Sequence, residues 1–336
     1  MRTVLVTGSA GFIGYHISRR LLDEGFRVVG VDAHTDMGDA ELKRDREAQL
    51  LAHPNYRGLR AKIEAPDLLR DLFASERPEI VVHLAAQAGV RQSIDNPRSY
   101  LDANIIGTYE LLEAARAHPP KHMLLASSSS VYGANAAIPY TESERTDTQM
   151  SFYAATKKAT ENMAHSYAHL FGLPTTMFRF FTVYGPWGRP NMAMSIFTRA
   201  ILRGEPIDVF NNGEMRRDFT YIADLCEALR RLIDLPPAVP QDAAEAEEFG
   251  LSPVAPFRVL NIGHSAPVPL TDFIAAIERA TGRTAKRNLM PIQPGDVPVT
   301  WADSTLLHRL TGYRPDTDVP EGVSAFVEWY RGYYGL

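Results

Sequence analysis

Apolar runs of five or six residues, at Thr3–Thr7, Arg27–Asp32, Ile80–Leu84, His122–Ser127 and Thr175–Phe180, alternate with longer stretches in which apolar side chains recur every three or four positions, at Phe12–Leu22, Asp67–Glu76, Pro97–Ala117 and Tyr153–Phe171. Short continuous runs predict strands covered on both faces, and the longer period predicts amphipathic helices. Their alternation predicts an α/β fold, a doubly wound parallel sheet with helices on each side. Ligands of such sheets bind beyond the carboxyl ends of the strands, which brings Gly8–Gly14, His83–Ala86, Ser127–Ser130 and Phe180–Thr182 to one rim. After Phe181 the pattern breaks at Pro186, Trp187, Gly188 and Pro190, and a helix near Met194–Arg203 is followed by shorter elements. We expect a first domain over 1–181, with 216–250 returning to it, and a smaller α/β substrate domain built from 182–215 and 251–336. The stretch 236–256, rich in Pro, Ala and Glu, reads as an exposed, mobile loop.

The turn after the first strand carries Gly8, Gly11 and Gly14. Three glycines at this spacing between a strand and a helix predict a Rossmann-type turn, in which missing side chains let backbone N–H groups and the positive helix end approach a pyrophosphate. The second strand ends in Asp32. An acid there accepts from both hydroxyls of an adenosine ribose and repels a 2′-phosphate, so NAD is expected over NADP.

At 336 residues and 45% hydrophobic composition the chain can bury a large core. A formal net charge of −5 gives no electrostatic reason to expect nucleic acid or an anionic membrane as partner. No stretch approaches the roughly twenty apolar residues of a membrane helix, and a strand starting at Thr3 leaves no room for a signal peptide, so a cytoplasmic location is expected. Cys226 is the only cysteine, which excludes an internal disulfide and a cysteine-based metal site; no metal is expected.

Tyr153 and Lys157 lie four apart on a predicted helix, hence on one face. A lysine ammonium and an oxidised nicotinamide nearby would lower the phenol pKa of Tyr153 and make it a base near neutral pH. Lys158 points about 100° away and is expected in solvent. Ser128 follows a buried strand at the same rim, where its hydroxyl can donate to a substrate oxygen while Tyr153 removes the proton.

In order and spacing, these residues resemble the extended short-chain dehydrogenase/reductases and, within them, the nucleotide-sugar epimerases. The resemblance rests on the Gly8/Gly11/Gly14 turn, Asp32, His83-Leu84-Ala85-Ala86, Asn104, Ser128-x-x-x-Tyr132-Gly133 and Tyr153-x-x-x-Lys157. Longer strings are similar to UDP-glucuronate 4-epimerases: Ala85-Ala86-Gln87-Ala88-Gly89-Val90-Arg91, Arg179 through Pro190, Met215 through Tyr221, and Gln293-Pro294-Gly295-Asp296-Val297. The resemblance implies a homodimer that pairs the helices Pro97–Ala117 and Tyr153–Phe171, and tightly bound NAD contacted by Gly8, Gly11, Phe12, Ile13, Gly14, Asp32, Leu84, Ala85, Ala86, Asn104, Ser127, Tyr153, Lys157 and Phe180. It also implies a UDP-sugar substrate that is oxidised at carbon 4 to a ketone, turned over and reduced on its other face, with Ser128, Tyr153 and Lys157 as catalytic residues. Two departures stand out: Lys62 occupies a position where many family members carry an adenine-contacting acid, and Asp36–Pro54 is unlike the usual wording.

A 4-ketone makes the carboxylate on carbon 5 of a uronic acid part of a β-keto acid, which loses CO2 if its bond aligns with the carbonyl π system. Hydroxyl donors at Ser128, Ser129, Ser130 and Thr182 could hold that carboxylate near the ring plane without supplying a proton at carbon 5. Related decarboxylases and dehydratases typically carry an acid at the position of Ser129 or Ser130. The remaining substrate contacts implied are Gln87 and Arg91, with Arg189 and Arg217 on the diphosphate or nearby oxygens, Phe210 on uracil and Asp296 on the uridine ribose. The expected activity is interconversion of UDP-glucuronate and UDP-galacturonate; the alternatives are a UDP-glucose-type 4-epimerase, a UDP-glucuronate decarboxylase or a non-catalytic NAD-binding regulator.

Overall fold

A computed structural model describes residues 1–36, 39–293 and 296–336. Six strands, β1 (Thr3–Thr7), β2 (Arg27–Asp32), β3 (Tyr56–Arg60), β4 (Ile80–His83), β5 (His122–Ala126) and β6 (Thr175–Phe180), join a seventh at Phe257–Ile262 in one sheet. The spatial order is Phe257–Ile262, β6, β5, β4, β1, β2, β3, and every pairing is parallel. The chain runs outward from β1 through β2 to β3, then crosses back to β4 on the other side of β1. This reversal opens the crevice above β1 and β4 in which doubly wound sheets bind ligands.

Helices cover both faces because the strands are apolar on both. On one side α1 (Phe12–Asp23) and the helix Ile222–Ile233 bury Ile17, Leu21, Leu225 and Leu229 against Val4 and Val6. Cys226 packs in this layer, where burial pushes its thiol up to about 12. The helix α2 (Ala40–Leu51) adds Leu50 to the same layer, and on the other side α3 (Leu68–Glu76) and the helices Gly107–Ala117 and Phe152–Phe171 bury Leu72, Phe73, Leu111 and Ala164 against Leu5 and Val81. A separate core around Phe197, Phe273, Val323 and Phe326 holds the second lobe together.

Several elements differ from the sequence reading. The helix expected over Pro97–Ala117 widens to a π-turn at Leu101–Ile106. The stretch 236–256 is not a plain loop: Asp242 caps the helix Ala243–Phe249 by accepting from Glu245 N at 2.9 Å, and Glu245 reaches back to Gln241 N, a reciprocal cap that stabilises an Ala/Glu helix. The strand Phe257–Ile262, within the segment assigned to the substrate domain, forms the edge of the main sheet beside β6. No helix among the described residues is long and apolar enough to cross a membrane, and none of their His, Cys, Asp and Glu side chains group as a metal site would require.

A buried polar relay backs the rim. Tyr132 stacks on Tyr140 and donates to Asn261 Oδ1 at 2.7 Å, and Asn261 N donates to Glu142 Oε1 at 2.8 Å. Burial pushes the Glu142 carboxyl up to about 7. An acid raised in the folded state costs nothing below its unfolded pKa; the cost grows as pH rises between the two values and is complete above the folded one. Glu142→Gln keeps the acceptor and removes the charge. It is expected to stabilise the fold by about 2 kcal/mol at pH 8 and by nothing near pH 4, a difference that thermal melts at the two pH values would register.

Candidate active site

One long cavity runs along the carboxyl edge of the sheet from Asp32 and Glu64 at one end to Ser128, Tyr153 and Arg189 at the other. Its floor is the glycine turn. Gly8 N donates to Val31 O at 2.7 Å with φ +74, and Gly11 N donates to Gly8 O at 2.9 Å. A Cβ on Gly8 would stand 2.8 Å from Ala85 N, and one on Gly14 would overlap the Gly8 carbonyl oxygen. Gly11 supplies no side-chain cap to α1, so the first amides of that helix remain available to an anion. This cradle, whose backbone tolerates no Cβ, fits a dinucleotide pyrophosphate.

Asp32 is buried and accepts from Ala10 N at 3.1 Å and His34 N at 2.8 Å. The sequence reading missed its neighbour: Lys43, 8% exposed, lines the same wall, with Nζ 2.9 Å from Thr35 O and 3.8 Å from Asp32 Oδ1. Asp39 and Glu64 line this end as well. Lys62 turns outward toward Glu64, so the wall beyond β3 is formed by Ala61, Ile63 and Glu64 instead.

At the other end the helix Phe152–Phe171 starts at Ser151, whose Oγ accepts from Ala154 N at 3.1 Å. The first turns of that helix carry Tyr153 and Lys157 to the cavity wall beside Ser127, Ser128 and Phe180. Lys157 is 5% exposed and donates to Ala126 O at 2.9 Å. Burial pulls its pKa down to about 8, against the opposing charge of Glu161. In the protein alone, burial raises the Tyr153 phenol, while a hydrogen bond with Ser128 and the charge of Arg189 work the other way; the expected lowering also calls on the charge of an oxidised nicotinamide. The lysine ammonium is turned to the Ala126 carbonyl rather than to the phenol.

Glu161 was also missed, although it lies four residues beyond Lys157 on the same face. It accepts from Ser127 Oγ at 2.6 Å and from Arg179 Nε and Nη2 at 2.9 and 3.0 Å. Lys158 is not left to solvent; its Nζ stands 3.4 Å from Glu161 Oε2.

Of the residues assigned to cofactor, Gly8, Gly11, Phe12, Ile13, Gly14, Asp32, Leu84, Ala85, Ala86, Ser127, Tyr153, Lys157 and Phe180 line the cavity. Asn104 does not. Its amide accepts from Gln87 N at 2.8 Å and donates to Gln87 O at 3.1 Å and Thr156 Oγ1 at 2.9 Å, so it braces Gln87 from behind. Of the residues assigned to substrate, Gln87, Ser128 and Arg189 are on the wall. Ser129 and Ser130 lie half-buried in the turn Ser129–Tyr132, off that wall, and Ser130 N donates to Ser128 Oγ at 3.2 Å. Thr182 faces a small apolar cavity next door, which shares Phe12, Val183, Arg189 and Met192 with the main one.

The other four assigned residues gather into a second cluster. Arg91 is 3.0 Å from Asp296 and 4.7 Å above the Phe210 ring, and the charge of Asp296 acts on Arg217. The guanidinium of Arg91 thus covers the ring face that was assigned to a base. Pro294 and Gly295, from the string that suggested this region, lie outside the described residues.

Comparison with known proteins agrees with this geometry. Residues 4–244 match the model of the NAD dependent epimerase/dehydratase family. The chain is 51% identical over 331 residues to a probable UDP-glucuronate 4-epimerase of Rhizobium meliloti (strain 1021), covering 98% of this chain and 97% of the relative. It is 45% identical over 337 residues to UDP-glucuronate 4-epimerase 2 of Arabidopsis thaliana, covering 99% of this chain and 76% of that one. Its fold superposes with a TM-score of 0.88 on UDP-glucuronic acid 4-epimerase from Bacillus cereus, solved with UDP-glucuronic acid and NAD, at 30% identity over 99% of this chain and 100% of the other.

Proposed function

Because the chain belongs to the NAD-dependent epimerase/dehydratase family, we propose that it is an NAD-dependent UDP-glucuronate 4-epimerase, interconverting UDP-glucuronate and UDP-galacturonate through a transient 4-ketone. The reading is carried by one juxtaposition: the glycine cradle and Asp32 at one end of the cavity, and Ser128, Tyr153, Lys157 and Arg189 at the other. Bound NAD supplies a hydride acceptor and, within the same turnover, a hydride donor.

The protein's own part is proton transfer and positioning. Tyr153 takes the proton of the carbon-4 hydroxyl and returns it after the sugar has turned, and Ser128 donates to the same oxygen. Lys157 is held on Ala126 O, and burial pulls its pKa down to about 8. It supplies the positive field that the buried phenol requires to ionise. Arg189 offers a planar fork to the diphosphate or the uronate. The carboxylates on the cavity wall, Asp32, Asp39 and Glu64, all belong to the adenosine end. The hydroxyl-bearing sugar end therefore favours return of the hydride over protonation at carbon 5 after CO2 loss.

Incubating the purified protein with UDP-glucuronate and separating the products tests the assignment. UDP-galacturonate is expected without added reductant. UDP-xylose with released CO2 would make it a decarboxylase, and turnover of UDP-glucose alone would make it a neutral-sugar epimerase. The same reading makes it a cytoplasmic homodimer. Exposed Tyr109, Phe152, Leu170 and Phe171 on the helices Gly107–Ala117 and Phe152–Phe171 support such pairing, and a light-scattering mass of twice 37.4 kDa is expected.

A further inference from the structure

The helix α2 is a polar wedge between the cofactor cradle and the second lobe. Four of its side chains are buried, Leu42, Lys43, Arg46 and Leu50, and Arg46 has no exposed surface at all. Its guanidinium donates through Nη1 to Ala10 O at 3.0 Å, inside the glycine turn, and through Nη2 to Trp187 O at 2.5 Å. Nη1 also stands 3.5 Å from Asp39 Oδ2. A second tie from α2 to the second lobe runs from Asp45 to the Tyr333 hydroxyl.

Trp187 is itself unusual. It holds φ +63, a left-handed conformation that a bulky residue keeps only where its surroundings over-determine it. Those surroundings are Tyr15, Trp329 and Tyr333 around the indole and Arg46 on the carbonyl. Two residues further on, Arg189 lines the reacting end of the cavity. One buried fork thus fixes the distance between the backbone that cradles the cofactor and the backbone that carries an arginine to the sugar.

We propose that Arg46 is a positioning residue that locks the Trp187–Arg189 segment onto the dinucleotide cradle and so sets Arg189 for the sugar nucleotide. The proposal rests on the epimerase reading of the cavity. Its chemistry is specific to arginine, since a planar guanidinium reaches two carbonyls at once where an ammonium reaches as a point charge. An epimerase has particular use for such a lock, because the sugar must present both faces to one hydride site while the nucleotide half stays anchored.

The test compares wild type, Arg46→Lys and Arg46→Met, each loaded with NAD. Hydrogen exchange at the Gly188 and Met192 amides, which donate to Gly185 O and Arg189 O, NAD affinity, KM and kcat are measured separately. Losing a hydrogen bond to a charged donor predicts about tenfold faster exchange at the Gly188 and Met192 amides and about a tenfold higher KM for UDP-glucuronate, with kcat changed by less than about threefold. A folded, NAD-binding variant with wild-type exchange at the Gly188 and Met192 amides overturns the proposal, as does a fall in kcat with KM unchanged. Should neither variant fold, wild type decides alone: the Gly188 and Met192 amides, which donate to Gly185 O and Arg189 O, are expected to be protected to the same degree as the Gly8 and Gly11 amides of the glycine turn, and free exchange there sinks the idea. Exchange is read without turnover. A wild type that leaves UDP-glucuronate untouched therefore counts against the substrate assignment and not against the lock.

Discussion

Tyr153→Phe is expected to lower kcat on UDP-glucuronate by about 10³-fold while leaving NAD bound and KM within a factor of a few. The size follows from what the hydroxyl does. In the proposed mechanism it is the proton acceptor, at the wall that Ser128 and Arg189 also line, and no carboxylate or imidazole among the described residues lines that end to replace it. The ring itself is retained by the substitution, together with its edge-to-face contact with Tyr100 at 6.0 Å, so the fold loses little. Steady-state kinetics with the cofactor content read from absorbance separates the two effects. A variant that keeps wild-type turnover would mean that the proton leaves by another route and would remove Tyr153 from the mechanism.

Gly14→Val is the second large effect, and it falls on the cofactor rather than on the chemistry. A side chain at this position meets the Gly8 carbonyl oxygen and, at 3.0 Å, the Cα of Ser9. Neither is the free end of a flexible chain. The Gly8 carbonyl also accepts from Gly11 N at 2.9 Å, so making room for the valine breaks the turn whose amides face the pyrophosphate. Purified Gly14→Val is expected to contain no NAD, to bind added NAD at least about 10³-fold more weakly and to convert no UDP-glucuronate. Isothermal titration of the variant with NAD measures the loss, and near-normal affinity would show that the glycine turn is not the pyrophosphate site.

How much of this was legible beforehand depends on how each residue announces itself. The cradle and the Tyr153/Lys157 pair were readable because their function demands a spacing: three glycines where a Cβ cannot fit, and two side chains one helical turn apart. The helix α2 was not, because its buried side includes Lys43 and Arg46, so no apolar period marks it. The edge strand Phe257–Ile262 was hidden for a similar reason. Arg258 and Asn261 interrupt its run, yet both are buried and hydrogen-bonded, Arg258 to Thr176 and Asn261 to Tyr140 O and Asp303 O. The place of Asn104 behind Gln87 was not legible, since a π-turn inside a helix shifts which side chains face inward and no residue pattern signals it. For Tyr153 the spacing to Lys157 was legible, but not that the Lys157 ammonium is directed to a backbone carbonyl.

The pair formed by Glu161 and Arg179 constrains how this chain can drift over generations. Both side chains are 3% exposed; removing Glu161 leaves Arg179 as an uncompensated ion in a dry interior, at a cost of about 3–5 kcal/mol, while removing Arg179 leaves Glu161 with Lys158 and Ser127 alone. Swapping the two together for apolar residues of like volume is far cheaper, but it would strip Ser127 of its acceptor. Descendants of this lineage are therefore expected to inherit the acid and the base as a unit, and a damaging change at either position should find its suppressors at the other.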